Sequence, residues 1–234
     1  QAWAAQLQVL DVIETICRKH DITYFADWGT ILGTVRHGGY VPWDDDMDIC
    51  MKREDYTRFK EAAKTELPKD FRIHDYEHQE DHWLFLSRVA NSVHINFEPE
   101  HMKQFHNFPY IAGIDIFVLD YLYKDEQQEK QRCEEVKHII AVADSIIAGE
   151  IAQPVKEANL IQLEEKYHKT FNRKLDNRHM GIELYRLAEE QMARVPKEES
   201  DRMAQIFPWG LLGNRGQDRE YYEKFVRLPF ENTT

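Results

Sequence analysis

The stretch "YVPWDDDMDICMKREDYTRF", residues 40–59, decides the fold because it joins a dense acidic run to the pattern of a buried strand. Four aspartates lie within positions 44–48, and apolar residues follow directly. Side chains alternate along a strand, so a strand over residues 46–51 places Met47, Ile49 and Met51 on one face and both Asp46 and Asp48 on the other. The sequence therefore predicts two neighbouring carboxylates on one face of a largely buried strand.

Two carboxylates held this close repel each other and resist ionising together unless a cation lies between them. A hard divalent ion with oxygen ligands is the natural partner, and magnesium prefers one or two carboxylates together with substrate phosphates. The alternative is a solvated acidic turn, which is the commonest fate of a charge run. The alternation of Asp with Met and Ile favours the cation site, and Trp43 beside the cluster predicts a surface that is not fully open.

Two other segments point to the same chemistry. In "DWGTILGTVRH", Gly29 and Thr30 follow a predicted strand and begin a short helix, where free backbone N–H groups receive an anion. In "GIDIFVLDY", Asp115 lies between Ile114 and Ile116 on an apolar strand, where a bare carboxylate is expensive. A metal ion relieves that cost, whereas the structural alternative is a hydrogen-bonded residue at a strand end.

The spacing of apolar residues along the chain predicts an α+β protein with a strand-rich core followed by a helical part. We expect a core over residues 1–122 and a helical part over residues 123–234 that completes the substrate site, as two domains or one continuous domain. The predicted strands span residues 22–28, 46–51, 71–76, 83–89, 93–98 and 114–121, and the predicted helices span residues 3–20, 53–66, 125–148, 155–171 and 181–194. Residues 29–40 are predicted to form a turn, a short helix and a glycine turn.

Composition narrows the classes of partner. The formal net charge of -12 argues against nucleic acid as a partner and limits membrane association to a peripheral one. No apolar run approaches the roughly 20 residues that span a bilayer. Three well-separated cysteines, Cys17, Cys50 and Cys133, fit reduced thiols better than a disulfide framework. These features predict a cytoplasmic protein, with the inner face of the membrane as a further location.

The run "FADWGTILGTVRHGGYVPWDDDMDICMKREDYTRF" resembles the signature of the LicD family, phosphocholine transferases that decorate bacterial teichoic acids and lipopolysaccharides and are related to fukutin-type proteins. "IDIFVLDY" and "YYEKFVRLPFENTT" resemble later family segments. Family members usually continue into a tail containing proline and tyrosine, whereas this sequence ends at Thr234. If that tail closes the site, the donor pocket of this chain is incomplete.

The resemblance implies a nucleotidyltransferase-like mixed β-sheet flanked by helices, in which a Gly-Thr turn and three carboxylates assemble a metal site. Carried over to this sequence, these are Gly29, Thr30, Asp46, Asp48 and Asp115. It further implies transfer of phosphocholine from CDP-choline, or a similar CDP-linked donor, to a sugar hydroxyl of a teichoic acid or lipopolysaccharide precursor, including a lipid-linked one. Mg²⁺ or Mn²⁺ is the expected cofactor, and the third carboxylate acts as a ligand or as the general base.

Two further sets of residues suit this chemistry. Three cations lie near the acidic run in sequence and can neutralise phosphate, although each can equally be a surface charge: Arg36, Lys52 and Arg53. Choline carries a permanent positive charge and suits an aromatic cage, although single aromatic residues usually pack in the core. The candidates are Trp43, which is preferred for its position, and Trp28, Tyr40 and Trp83.

Three readings remain open from the sequence. The first is a phosphocholine transferase. The second is an enzyme that uses the same carboxylates to move another phospho-substituent, such as phosphoribitol, or a nucleoside monophosphate. The third is a non-catalytic metal-binding module, which is weakened because "DDDMDICMKRED" lacks the glycine and terminal glutamate of an EF-hand loop.

Overall fold

The computed structural model describes residues 1–231 and confirms an α+β protein with a mixed sheet. The chain divides into two compact units. The first comprises Gln1–Leu119 together with the segment that begins at Asp218, and the second comprises Asp120–Gln217. The predicted division at residue 122 stays a prediction. Across residues 1–231, no helix is both long and apolar enough to cross a bilayer.

The first unit alternates helices with short strands. Its elements are α1 (Ala2–Lys19), β1 (Tyr24–Ala26), α2 (Trp28–His37), β2 (Asp48–Lys52), α3 (Arg53–Glu66), β3 (Arg72–His74), β4 (Ser87–Ala90), α4 (Pro99–Gln104) and most of β5 (Gly113–Tyr121). The strands are ordered β1-β2-β5-β4-β3. Only the central β2–β5 pair is parallel among these neighbours, so the sheet is mixed.

One face of this sheet is buried against α1 and α3. Met47, Ile49 and Met51 are each at most 1% exposed, as the alternation predicted, and they join the core with apolar residues of β5. Residues spaced three and four apart on the two helices complete this core: Ala5, Val9, Ile13 and Ile16 on α1, and Tyr56, Phe59 and Ala63 on α3. The opposite face of β2 and β5 therefore carries the polar side chains.

The second unit is mainly helical. It contains α5 (Glu126–Ile147), α6 (Gln153–Tyr167), α7 (Asn177–Met192) and the short strand β6 (Arg202–Ala204), which pairs through Ala204 and Met203 with Asp120 and Tyr121. A two-residue strand, β7 (Gln217–Asp218), pairs with β6. Asp125 begins α5 by accepting a hydrogen bond from the Gln128 N–H at 2.8 Å.

Several predicted elements are corrected. The strand predicted over residues 93–98 is wrong: Val93, Ile95 and Phe97 are 54%, 52% and 70% exposed, so their alternation faces solvent instead of a core. The strand predicted over residues 83–89 is limited to Ser87–Ala90, and the strand predicted from residue 46 begins at Asp48. Periodicity indicates which segments have the alternation of a strand, but it does not show whether a partner strand lies alongside.

Candidate active site

Charged side chains from three neighbouring strands lie in one row across the polar face of the sheet. The parallel register of β2 and β5 pairs Asp48 with Asp115, and the antiparallel register of β5 and β4 pairs Asp115 with Arg88. Paired residues point to the same face, and adjacent strands lie about 4.8 Å apart. The arginine Nε lies 3.5 Å from the Asp115 Oδ1. The fold thus places two carboxylates and one guanidinium side by side.

An acidic loop precedes β2 and faces this row. A carboxylate oxygen from each of Asp44, Asp45 and Asp46 lies within 4.8 Å of the others. The loop backbone is anchored to α1: the Trp3 Nε1 donates to the Asp44 carbonyl at 3.0 Å, and the Gln6 Nε2 donates to the Asp45 carbonyl at 2.7 Å. These two hydrogen bonds hold the loop backbone in place, so that three carboxylates of like charge stay close together.

The start of α2 contacts the same loop. The Asp27 carboxylate caps this helix by accepting from the Trp28 N–H at 2.9 Å, and Trp28 has a positive φ of 43°, a strained value for a bulky residue. A Cβ at Gly29 would lie 2.2 Å from the Asp44 Oδ2, so only glycine admits that carboxylate. Thr30 is buried, and its hydroxyl accepts from the Asp48 N–H at 2.8 Å. Thr30 therefore positions Asp48.

Burial raises the pKa of each carboxylate in the site, and neighbouring carboxylates add to the shift for Asp46 and Asp48. Burial, followed by the charges of Asp46 and Asp115, raises the pKa of Asp48 to about 7. Burial and a hydrogen bond with Asp44 raise the pKa of Asp46. Burial raises the pKa of Asp115 as well, although the charges of Arg88 and His82 offset part of this. The site thus concentrates negative charge beyond what its own cations neutralise.

This set of donors fits a hard divalent cation. All of the ligand atoms are carboxylate oxygens, the type that Mg²⁺ and Mn²⁺ prefer, and a bound cation would offset both the burial and the mutual repulsion that raise their pKa values. Asp48 and Asp115 are in register on adjacent strands, and Asp46 is the exposed member of the loop nearest to them in sequence. Asp44, which the sequence analysis did not select, belongs to the same cluster.

A second acidic group, formed by Asp75, Glu77 and His78, differs in its electrostatics. The Lys60 Nζ lies 3.0 Å from the Asp75 Oδ2 and 3.5 Å from the Glu77 Oε2. Burial raises the pKa of Asp75, but Lys60 and His78 outweigh it and lower the pKa. An ammonium group already supplies the positive charge there.

The three cations predicted to bind phosphate lie on β2, α3 and α2. Lys52 ends β2, four residues or about 13 Å along the strand from Asp48. Arg53 begins α3 and lies 5.8 Å from the Tyr56 ring centroid. Arg36 is exposed in the last turn of α2, about 12 Å along the helix from Trp28.

The four aromatic candidates have different surroundings. Trp43 is 84% exposed and meets His37 edge-on at 6.5 Å, so the expectation that it shields the acidic run is wrong. Tyr40 is 4% exposed and stacks on Trp3 at 4.8 Å within the core. Two candidates remain partly exposed.

Those two lie near the carboxylate row. Trp28 is 40% exposed and packs at 6.0 Å on Phe117, which follows Asp115 by two residues on the same face of β5. Trp83 is 58% exposed and adjoins His82, whose charge acts on Asp115. They are therefore the candidates best placed for a ligand of the site.

Two charged residues of this region, Arg88 and His82, escaped the sequence analysis. "FLSRVAN" reads as an ordinary amphipathic strand, and nothing in it shows which strand it will pair with. Only the β4–β5 register brings Arg88 to Asp115. The alternation of Arg88 with buried Ser87 and Val89 is the one signal that marked it as facing the polar side.

Comparison with known proteins matches the part of the chain that contains these residues. Residues 21–141, just over half of the chain, match the family model described as "LicD/FKTN/FKRP, nucleotidyltransferase domain". The match includes the acidic loop and every residue of the carboxylate row.

Among curated proteins, a 53-residue stretch is 43% identical to the lipopolysaccharide cholinephosphotransferase LicD of Haemophilus influenzae. A 54-residue stretch is 39% identical to an uncharacterized protein of Rickettsia typhi. Each alignment covers 23% of this chain, and the chain spans only 20% and 18% of the lengths of these relatives.

Proposed function

Because the chain belongs to the LicD/FKTN/FKRP family, we propose that it transfers phosphocholine from CDP-choline to a sugar hydroxyl of a glycan precursor. The observation that carries the proposal is the pairing of Asp48 with Asp115 beside the acidic loop, with the pKa of Asp48 raised to about 7. A site of this charge suits a substrate that arrives with a divalent cation. The Haemophilus relative, by its name, transfers phosphocholine to lipopolysaccharide.

Asp46 and Asp48 are the proposed ligands of Mg²⁺ or Mn²⁺, and Asp115 beside them is the proposed base. When bound, the cation neutralises charge on the phosphate oxygens as the bond to the leaving group breaks. The chain's own residues position these ligands: Thr30 holds the backbone of Asp48, and Trp3 and Gln6 hold the acidic loop.

The acceptor hydroxyl oxygen attacks the phosphorus of the phosphocholine group, and the phosphorus bond to the bridging oxygen breaks, releasing CMP. The hydroxyl proton passes to a carboxylate of the site. Asp115 is the proposed base because burial raises its pKa and because it lies centrally in the row, between Asp48 and Arg88.

Trp28 is the proposed contact for the choline ammonium group. Its indole is partly exposed beside the carboxylate row and is held by Phe117. Replacing Trp28 with alanine should raise KM for CDP-choline more than it lowers kcat. Trp43→Ala is the matched control, because that indole contacts His37 at the far end of α2. Equal effects of the two substitutions would contradict the assignment.

Phosphorus NMR with CDP-choline, Mg²⁺ and candidate amino-sugar acceptors tests the reaction. We expect metal-dependent formation of CMP and a phosphocholine product in the wild type and in Asp11→Asn, an exposed control on α1. Asp48→Asn should lose at least about a thousandfold in rate, because it removes a proposed metal ligand. If only CDP-ribitol is consumed, the donor assignment is wrong. Metal binding without turnover of either donor would support the binding-module reading.

A further inference from the structure

Arg88 stands out in the site because its positive charge is only partly used. Its side chain is 45% exposed and approaches Asp115 through Nε alone, at 3.5 Å. Among residues 1–231 this is the one polar contact found for its guanidinium group. An exposed pair of this kind contributes about 0–1 kcal/mol to stability, so folding alone is a weak reason for an arginine here. The terminal amino groups of the fork are available to a ligand.

Gly113 provides the space that the Arg88 side chain occupies. The register of β4 and β5 pairs Ala90 with Gly113, two residues from the Arg88–Asp115 pair on the same face. A Cβ on Gly113 would lie 2.5 Å from the arginine Nε and 3.2 Å from both Cγ and Cδ. Any larger residue would displace the guanidinium. Because Gly113 has no side chain, the arginine can lie across β5 toward Asp115.

The position of this guanidinium matches the needs of a phosphorylated ligand. Arg88 lies one strand beyond Asp115 and two strands, or about 10 Å, from Asp48. A cation bound by the carboxylates would therefore lie on one side of this stretch of the sheet face. The arginine fork lies on the other side. Arginine binds phosphate oxygens through two parallel N–H bonds, a geometry that lysine cannot reproduce.

We propose that Arg88, laid against Gly113, is an anion-binding site that takes a phosphoryl group of the substrate. This inference rests on the proposed function and deepens it, because it names the protein cation that holds the diphosphate of the donor. Arg88 is proposed in addition to the three cations predicted from sequence proximity, which stay predictions.

Calorimetry with inorganic pyrophosphate and Mg²⁺ tests the site without relying on turnover. Arg88→Gln should weaken pyrophosphate binding by about 10- to 100-fold, as expected for the loss of charged hydrogen bonds. Arg88→Lys should retain only part of the affinity, because it keeps the charge but loses the fork. Gly113→Ala should resemble Arg88→Gln if it folds, and the two Arg88 variants decide the question if it does not.

Arg72→Gln is the matched control. Arg72 pairs with Ala90 on the neighbouring strand, and its guanidinium donates to the carbonyls of Lys69 and Phe71, each at 2.6 Å. It should bind pyrophosphate as the wild type does. Mg²⁺ titrated alone should bind the Arg88→Gln variant at least as tightly as it binds the wild type, because the substitution removes a positively charged side chain beside Asp115. A merely structural role for Arg88 predicts equal pyrophosphate affinities instead.

The outcomes separate this inference from the proposed function. Pyrophosphate binding that depends on Arg88, without consumption of CDP-choline, retains the anion site and rejects the donor. Consumption of CDP-choline with unchanged affinity and rate in Arg88→Gln rejects the anion site and retains the function. A wild type that does not bind pyrophosphate with Mg²⁺ overturns the inference.

Discussion

Two groups of carboxylates, one in each unit, have opposite electrostatic surroundings. In the first unit, Asp46, Asp48 and Asp115 are crowded together and their pKa values are raised. In the second unit, Glu135 meets the Arg194 Nη1 at 2.7 Å and the Lys166 Nζ at 3.0 Å. Burial alone would raise the pKa of Glu135, but hydrogen bonds from those two cations and from Gln131 lower it to about 2.

The difference separates charge that stabilises the fold from charge kept for a ligand. A buried carboxylate with matched donors favours the folded state, whereas a crowded carboxylate opposes it. Structure that costs stability is expected where function requires it. Four changes test this contrast, beginning with the largest expected effect.

Replacing Arg132 with methionine should destabilise the protein by about 3–5 kcal/mol, because it removes the positive charge paired with a carboxylate and the donor to two buried carbonyls. Arg132 is 0% exposed, pairs with Glu129 and donates to the Tyr121 and Met192 carbonyls, each at 2.9 Å. Urea unfolding measures the loss. Lys137→Met is the control, since its pair with Glu134 is exposed, and a loss as large there would contradict the contrast.

Adding Mg²⁺ or Mn²⁺ at about a hundred times its Kd should stabilise the wild type by about 2.7 kcal/mol, because the ion binds only the folded site. Asp48→Asn should lose most of this gain, whereas Asp11→Asn should keep it. Thermal unfolding with and without chelator measures the difference. A gain in Asp48→Asn equal to that of the wild type would place the cation elsewhere.

Asp48→Asn should stabilise the metal-free protein at pH 8. The pKa of Asp48 is about 7 in the folded state against a model value of 3.8, so the unfolded chain releases its proton first and stability falls as pH rises from about 4 to 7. Allowing for solvent screening, we expect a gain of about 1–2 kcal/mol at pH 8 and none at pH 4. Unfolding in chelator across this range checks the sign, and a destabilised variant at pH 8 would refute the repulsion.

Glu135→Gln should show the reverse dependence. Because the folded pKa of Glu135 is about 2 against a model value of 4.5, its contribution is full above about pH 4.5 and is lost as pH falls toward 2. We expect a loss of about 1 kcal/mol at pH 7 that shrinks below pH 4. Glu134→Gln, from an exposed pair, should change little at either pH. A pH-independent loss would show that packing, not charge, holds this region.

Much of the first unit followed from local pattern. The helices from Trp3 and Arg53, the buried face of Met47, Ile49 and Met51, and the polar position of Asp115 were all predicted from spacing and from the apolar neighbours of one carboxylate. The strand over 93–98 failed for a specific reason. Alternation describes a surface suited to a sheet, but pairing depends on a neighbour that local sequence does not name.

In the candidate site as well, local sequence indicated some residues, whereas others depended on long-range pairing. Asp46, Asp48 and Asp115 could be selected because carboxylates beside apolar residues are costly in any fold. Of the predicted last family segment, residues 232–234 lie outside the described part of the chain. Phosphate binding by Lys52 and Arg53 stays a prediction, because sequence proximity does not fix position: a strand carries the chain about 3.3 Å per residue away from Asp48.

The sequence by itself determined the family, the α+β class and the acidic chemistry, because these depend on residue types at short spacing. The tertiary structure decided which charges meet. Strand order and register bring Asp48, Asp115 and Arg88 into one row from positions far apart in the chain, and Gly113 clears the space for the arginine. The register of the strands is set by burial of the opposite, apolar face of the sheet. That burial depends on the whole core, so no single segment of the sequence specifies which residues become neighbours.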